Sequence, residues 1–124
     1  MRALVIDDSR TMRAILGKML KEIGFEVLEA ADGREALERL QQNGRPDLVL
    51  VDWNLPHMNG LDFVRAVRAE REYDGLPLLM VTTETERAQV AKALEAGATE
   101  YIMKPFTREI LRDKLNLLGI CQPP

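Results

Sequence analysis

One cysteine and one histidine occur among 124 residues, and each scarcity closes a class of chemistry. Cys121 alone cannot form an internal disulfide, and near a chain end it lacks the companions a metal or redox motif needs. His57 has no second imidazole with which to share a metal and is expected to be an exposed loop residue rather than a catalyst. No apolar run approaches the roughly 20 residues of a membrane-spanning helix. The amino terminus enters a strand almost at once, without the pattern of a signal peptide, so a cytoplasmic protein with no membrane insertion is expected. Nor is there an excess of basic residues: 17 Lys and Arg against 20 Asp and Glu leave a net charge of -3, no positive field, and no expectation of direct nucleic-acid binding. Internal repeats and low-complexity segments are also missing. What remains is 46% hydrophobic and 30% charged, enough for one compact domain with a sizeable core.

Ala3-Leu4-Val5-Ile6 is a short apolar run, followed by Asp7-Asp8-Ser9 and then by Met12, Ile15, Leu16, Met19, Leu20 and Ile23 at helical spacing. Ser9, or an aspartate just before it, can cap that helix. Gly24 stops it, and Phe25 to Ala30 predicts a second strand that Glu26 and Glu29 interrupt as they would on a sheet edge. Asp32 and Glu35 stand in capping-box register for a short amphipathic helix that ends near Asn43-Gly44 and Pro46. Leu48-Val49-Leu50-Val51 is wholly apolar, fits a strand buried on both faces, and is closed by Asp52. Leu61, Val64 and Val67 mark a third helix that dissolves into the charged stretch Arg68 to Asp74. Pro77 opens a fourth strand, Leu78 to Val81, ending at Thr82, and Thr83 with Glu86 is a cap for a helix through Ala96. Tyr101-Ile102-Met103 is the fifth strand, Lys104-Pro105-Phe106 a turn, and Ile110, Leu111, Leu115 and Leu118 the stripe of a last helix.

Strands alternating with helices over this length predict an α/β fold, a parallel sheet covered on both faces and joined by right-handed crossovers. The first, third and fourth strands are the most apolar and belong inside, while the second and fifth carry polar residues and suit edges. That matches a doubly wound five-stranded sheet of order 2-1-3-4-5, with five helices on two faces. In a parallel sheet the groups just beyond the carboxyl ends of the strands share one rim, which here gathers Asp7, Asp8, Asp52, Thr82 and Lys104. Carboxylates about 4 Å apart repel by roughly 4 kcal/mol per pair at an effective dielectric of about 20, so such a cluster calls for a cation. Oxygen donors without a soft ligand suit Mg²⁺ better than zinc, with Mn²⁺ as a substitute. A carboxylate beside a divalent cation, with an ammonium and a hydroxyl aimed at the same spot, is a site for a phosphoryl group, and Asp52 is placed to attack it.

Asp7-Asp8, Asp52 with Asn54 and Pro56 in its loop, Thr82, and Lys104-Pro105 together resemble the receiver domain of two-component response regulators, a flavodoxin-like fold. The resemblance spans the chain from the first strand to the last helix. Among receivers it is most similar to the single-domain chemotaxis regulators, through Asp7-Asp8-Ser9-Arg10-Thr11-Met12-Arg13, Asp52-Trp53-Asn54-Leu55-Pro56 and Lys104-Pro105-Phe106. It implies a receiver domain over residues 1–120 with a short tail at 121–124. It also implies Asp52 as phosphoacceptor and Mg²⁺ ligand, with Asp8 and the main-chain carbonyl of Asn54 as further ligands and Asp7 as the acid that holds metal-bound water. Lys104 would bind the phosphoryl group, Thr82 would be the switch hydroxyl, and Tyr101 the aromatic that swings inward. A cis peptide at Lys104-Pro105 is implied, as are a histidine kinase or histidine phosphotransfer protein as donor and an unknown downstream protein reading the face of helix four, strand five and helix five. Such a domain is a signalling module that promotes its own phosphorylation and dephosphorylation, not an enzyme. Thr83 departs from the common pattern, since similar receivers tend to have alanine, glycine or serine there. Its β-branched side chain could narrow access to the phosphoryl group, and Glu84 and Asn54 stand where they would influence the approach of water.

Each residue also has a duller explanation. A lone aspartate after a strand is usually a turn former or helix cap, Thr82 alone would be strand-end packing, Lys104 a solvated charge, and Tyr101 a half-buried edge residue. Their coincidence on one rim favours the site. Trp53 is either a reporter of the acidic site or a partly exposed loop aromatic, and the helical arginines and glutamates are expected to be solvated. The competing functions are a metal-dependent phosphohydrolase with an aspartate nucleophile, which would want Asp-x-Asp after the first strand, and a flavin carrier, whose phosphate Asp7-Asp8 would repel. A receiver trimmed from a longer transcription regulator, and one whose output ignores phosphorylation, are the narrower alternatives.

Overall fold

The computed structural model describes residues 1–120, apart from the side chain of Glu84. The expected tail at 121–124, with Cys121, and the influence expected of the Glu84 side chain therefore lie outside the described residues. The chain alternates β1 (Arg2–Ile6), α1 (Arg10–Ile23), β2 (Glu26–Ala30), α2 (Gly33–Asn43), β3 (Leu48–Asp52), α3 (Gly60–Arg68), β4 (Leu78–Thr82), α4 (Val90–Ala96), β5 (Glu100–Met103) and α5 (Arg108–Leu117). The strands form one sheet in the order β2-β1-β3-β4-β5, every pair parallel. No helix is long and apolar enough to cross a membrane among the described residues.

Side-chain alternation along the strands builds two cores, one per face. Leu4, Ile6, Val49, Val51, Leu78 and Met80 face α2, α3 and α4, where Phe63, Val64 and Val67 meet them. Ala3, Val5, Leu48, Leu50, Leu79 and Val81 face the other way, onto Leu16 and Leu20 of α1 and Leu111 and Leu115 of α5. Each Val, Leu, Ile, Phe or Met among them taken fully out of water contributes about 1.5–3 kcal/mol. The interior strands β3 and β4 are buried along their whole length, whereas Glu26 and Glu29 leave the β2 edge exposed.

The helix starts follow their caps. Ser9 Oγ accepts from Met12 N–H at 3.1 Å, Asp32 Oδ1 from Glu35 N–H at 2.8 Å, and Thr107 Oγ1 from Ile110 N–H at 3.2 Å. The segment after β4 differs from expectation. Thr83 and Glu86 do form a capping box, but Glu84–Gln89 is a 3₁₀ turn and the α-helix begins only at Val90. The i to i+3 bond from Glu86 N–H to the Thr83 carbonyl, 3.0 Å, tightens that first turn.

The charged stretch after α3 is also more ordered than its composition implies. It contains a 3₁₀ turn, Arg71–Tyr73, with Tyr73 buried. Arg68 Nε donates to the Gly97 carbonyl at 2.9 Å, and its two terminal nitrogens donate to the carbonyls of Tyr73 at 2.8 Å and Leu76 at 2.6 Å. One guanidinium thus satisfies three carbonyls in two connections. Gly97, with φ 119°, ends α4 where a Cβ would fall 2.6 Å from Arg68 Cγ.

Sheet register then sets the rim. Ile6 pairs with Val51, so Asp7 stands level with Asp52; Asp52 pairs with Val81, and Thr82 with Met103, so Lys104 comes next. The Asp52 loop returns at Gly60, whose N–H donates to the Trp53 carbonyl at 3.1 Å. A Cβ at Gly60 would lie 2.8 Å from the Asp52 carbonyl oxygen and 2.9 Å from Met80 Cε, so only glycine admits this close return.

Candidate metal and phosphoacceptor site

Asp7 and Asp52 are carried to the rim by strands that run through the core, and both stay buried there, at 2% and 8% exposure. Asp8 turns outward and is exposed. Carboxylate oxygens of Asp7, Asp8 and Asp52 all lie within 4.8 Å of one another. Asp7 Oδ1 accepts from Ser9 N–H at 2.9 Å, whereas its Oδ2 is buried with no hydrogen-bond partner. The nearest cation is Lys104, whose ammonium stands 3.6 Å from Asp7 Oδ2 and 3.7 Å from Asp52 Oδ1. One ammonium against three carboxylates leaves the cluster net negative, and Asp7 Oδ2, buried without a hydrogen bond, keeps capacity for a further cation. An all-oxygen donor set open to solvent at Asp8 fits a hard divalent ion that keeps part of its water, such as Mg²⁺.

Burial drives the Asp52 carboxyl from an ordinary 3.8 up to about 6. The Lys104 ammonium opposes this, the Asp7 and Glu86 carboxylates add to it, and the Asn54 backbone N–H opposes it again.

Thr82 ends β4 beside Asp52, at 1% exposure, and its Oγ1 has no hydrogen-bond partner. Its carbonyl accepts from Lys104 N–H at 2.7 Å, which ties the hydroxyl-bearing strand to the lysine. The Lys104-Pro105 peptide is cis. Thr83 is half-buried, with its hydroxyl 2.9 Å from Thr85 Oγ1 and 3.0 Å from Glu86 Oε1.

The other expected residues lie near this group or outside it. Trp53 is half-buried and packs against the core on the α2, α3 and α4 face. Tyr101 lies further along the sheet in β5, also half-buried, with the Lys114 ammonium 5.4 Å from its ring centroid. His57 is exposed, at a left-handed turn with φ 65°. The spacing of residues did not single out Glu86 for the site. It is a buried carboxylate that accepts hydrogen bonds from Thr83 and from the Asn54 side chain. Its only sequence signal is the capping box, which says nothing of Asn54.

A family model described as the response regulator receiver domain matches residues 3–116. The chain is 47% identical over 119 residues to the chemotaxis protein CheY1 of Helicobacter pylori, covering 95% of this chain and 96% of that one. It is 48% identical over 121 residues to a CheY homologue of Campylobacter jejuni, covering 96% and 93%. Among solved structures, the chemotaxis response regulator CheY4 of Vibrio cholerae superposes with a TM-score of 0.87 at 40% identity, covering 94% of this chain and 97% of that one.

Proposed function

The chain belongs to the response regulator receiver domain family, CheY-like signalling domains phosphorylated on an aspartate, and on that premise we propose that the aspartate here is Asp52. The observation that carries the assignment is the Lys104 ammonium set 3.7 Å from Asp52 Oδ1 and 3.6 Å from Asp7 Oδ2, at the mouth of a cluster of three aspartates. A carboxylate oxygen of Asp52 attacks the phosphorus of a phosphohistidine on a histidine kinase or histidine phosphotransfer protein. An O–P bond forms, the P–N bond breaks, and its electron pair returns to the imidazole, which takes up a proton. The product on this chain is an acyl phosphate.

Asp8, Asp52 and the main-chain carbonyl of Asn54 are the residues that would hold Mg²⁺, or Mn²⁺ in its place, with Asp7 ordering the water around it. Bound there, the ion supplies positive charge against the phosphoryl oxygens. Lys104 neutralises another of those oxygens, and the Thr82 hydroxyl, which has no hydrogen-bond partner, donates to a third. Drawing Thr82 inward empties space into which Tyr101 moves, and a downstream protein reads the change on the face of α4, β5 and α5. We assign the receiver to residues 1–120, acting in the cytoplasm where kinase and target meet it. Promotion of its own phosphorylation and dephosphorylation follows from the same groups, because a small phosphodonor meets the same nucleophile and cations.

Intact mass after incubation with an acyl phosphate donor and Mg²⁺ tests the assignment. The parent is expected to gain one phosphoryl group per chain and Asp52→Asn none. No gain by the parent, or an equal gain by the variant, removes Asp52 from its role, and sustained turnover of phosphate esters would favour the phosphohydrolase instead.

A further inference from the structure

Glu86 has no part in the transfer just described, yet it is buried, at 9% exposure, and uses both carboxylate oxygens. Oε1 accepts from the Thr83 backbone N–H at 2.9 Å and from the Thr83 hydroxyl at 3.0 Å. Oε2 accepts from the side-chain amide of Asn54, 32 positions earlier. A capping carboxylate needs only the first set, and glutamate side chains are mostly exposed unless paired. Burying it costs desolvation that the bond to Asn54 helps to offset. That bond also joins the two loops that flank the cleft, the one after β3 and the one after β4. Asn54 stands two residues beyond Asp52 in the same loop, and its backbone N–H helps to hold the Asp52 carboxyl down.

We propose that Glu86 is a positioning residue that braces the acceptor loop: by gripping the Asn54 side chain from the start of the segment after β4, it fixes the Asn54 main chain against Asp52. The proposal rests on the assignment of the Asn54 carbonyl as a metal ligand, because the brace then acts on metal affinity as well as on the acceptor. Partners one step behind a ligand set its orientation, and their loss typically weakens metal binding by about ten-fold or more. The brace makes the β4 loop and the β3 loop one unit, so a movement of Thr82 and Thr83 is felt at Asn54.

The test is a Mg²⁺ titration of the folded chain, read by backbone amide chemical shifts around Asp52, with thermal midpoints measured alongside. Glu86→Ala is expected to raise the Mg²⁺ Kd roughly ten-fold. Glu86→Gln is expected to recover most of the lost affinity, since its oxygen can serve Thr83 while its amide nitrogen donates to a flipped Asn54 side chain. Asn54→Ala removes the other end of the brace without disturbing the helix cap or the main-chain carbonyl. It is expected to raise Kd by a similar factor, and the double variant by no more than either single one. A cap and nothing else would show a lower thermal midpoint for Glu86→Ala with unchanged Mg²⁺ affinity and a silent Asn54→Ala, and that result overturns the brace. Should Glu86→Ala fail to fold, Asn54→Ala decides alone. Absence of Mg²⁺ binding by the parent, or equal binding by Asp52→Asn, would instead overturn the site assignment, and the brace with it.

Discussion

Lys104→Ala is expected to slow the phosphorylation of Asp52 by a small acyl phosphate donor about a hundred-fold at saturating Mg²⁺, the scale on which removal of one well-placed electrostatic donor acts. The ammonium is the one cation the chain itself places within ion-pair distance of both Asp7 and Asp52 among the described residues. The donor's phosphoryl group arrives carrying negative charge into a cluster that already holds three carboxylates. Without Lys104, that charge meets uncompensated repulsion on its approach and in the transition state. Lys104→Arg should recover part of the rate, since it restores charge while putting a planar fork where a compact ammonium stood. Initial rates of mass gain, with a thermal melt to show that the variant is folded, check this. A rate for Lys104→Ala within two- or three-fold of the parent, far from the expected scale of about a hundred, would contradict it.

In the metal-free protein, Asp52→Asn is expected to raise the thermal midpoint by about 10 °C at pH 8 and to leave it nearly unchanged at pH 4. Burial is the first cause of the raised Asp52 pKa, from an ordinary 3.8 to about 6. Between those values the folded chain holds a proton that the unfolded chain has released, so stability falls as pH rises through that window. Above about pH 6 the cost levels off at roughly 3 kcal/mol, each pKa unit being worth about 1.4 kcal/mol. Below the lower value both states are protonated and the cost vanishes. Asparagine has no such charge at any pH, and about 3–6 °C accompanies each kcal/mol in a domain of this size. Added Mg²⁺ should narrow the gap, because it stabilises the folded parent by binding. Thermal melts across pH decide the matter. A parent more stable than Asp52→Asn at pH 8, or a gap that persists at pH 4, would show that the buried carboxylate is not the source of strain.

Much of the fold was legible because burial writes itself into strand composition. Leu48 to Val51 and Leu78 to Val81 are continuously apolar and lie inside; Glu26 and Glu29 mark the β2 edge, and the observed order follows. The rim was legible for the same reason. Once all strands are parallel, the residue after each apolar run must arrive on one side, and the register sets Asp7, Asp52, Thr82 and Lys104 step by step along it. Caps at Ser9 and Asp32 were local enough to be read from spacing.

What could not be read is where long polar side chains go once the chain is packed. Arg68 looked like the start of a solvated stretch and instead satisfies three carbonyls. Glu86 looked like a cap and also reaches the acceptor loop. Both are tertiary choices between water and a partner distant in sequence, with no periodicity to announce them. The late start of the α-helix at Val90 has the same character, since a capping box is compatible with a 3₁₀ first turn as well as an α one.

Chemical location of the phosphoryl group tests the central claim most directly. After treatment with an acyl phosphate donor and Mg²⁺, borohydride reduces an aspartyl phosphate to the alcohol, so the phosphorylated residue becomes homoserine and fragment masses locate it. The result expected is homoserine at position 52 and aspartate retained at positions 7 and 8. Conversion at Asp7 or Asp8, or no conversion in a protein that has gained phosphoryl mass, would show that the group rests elsewhere and that Asp52 is not the nucleophile.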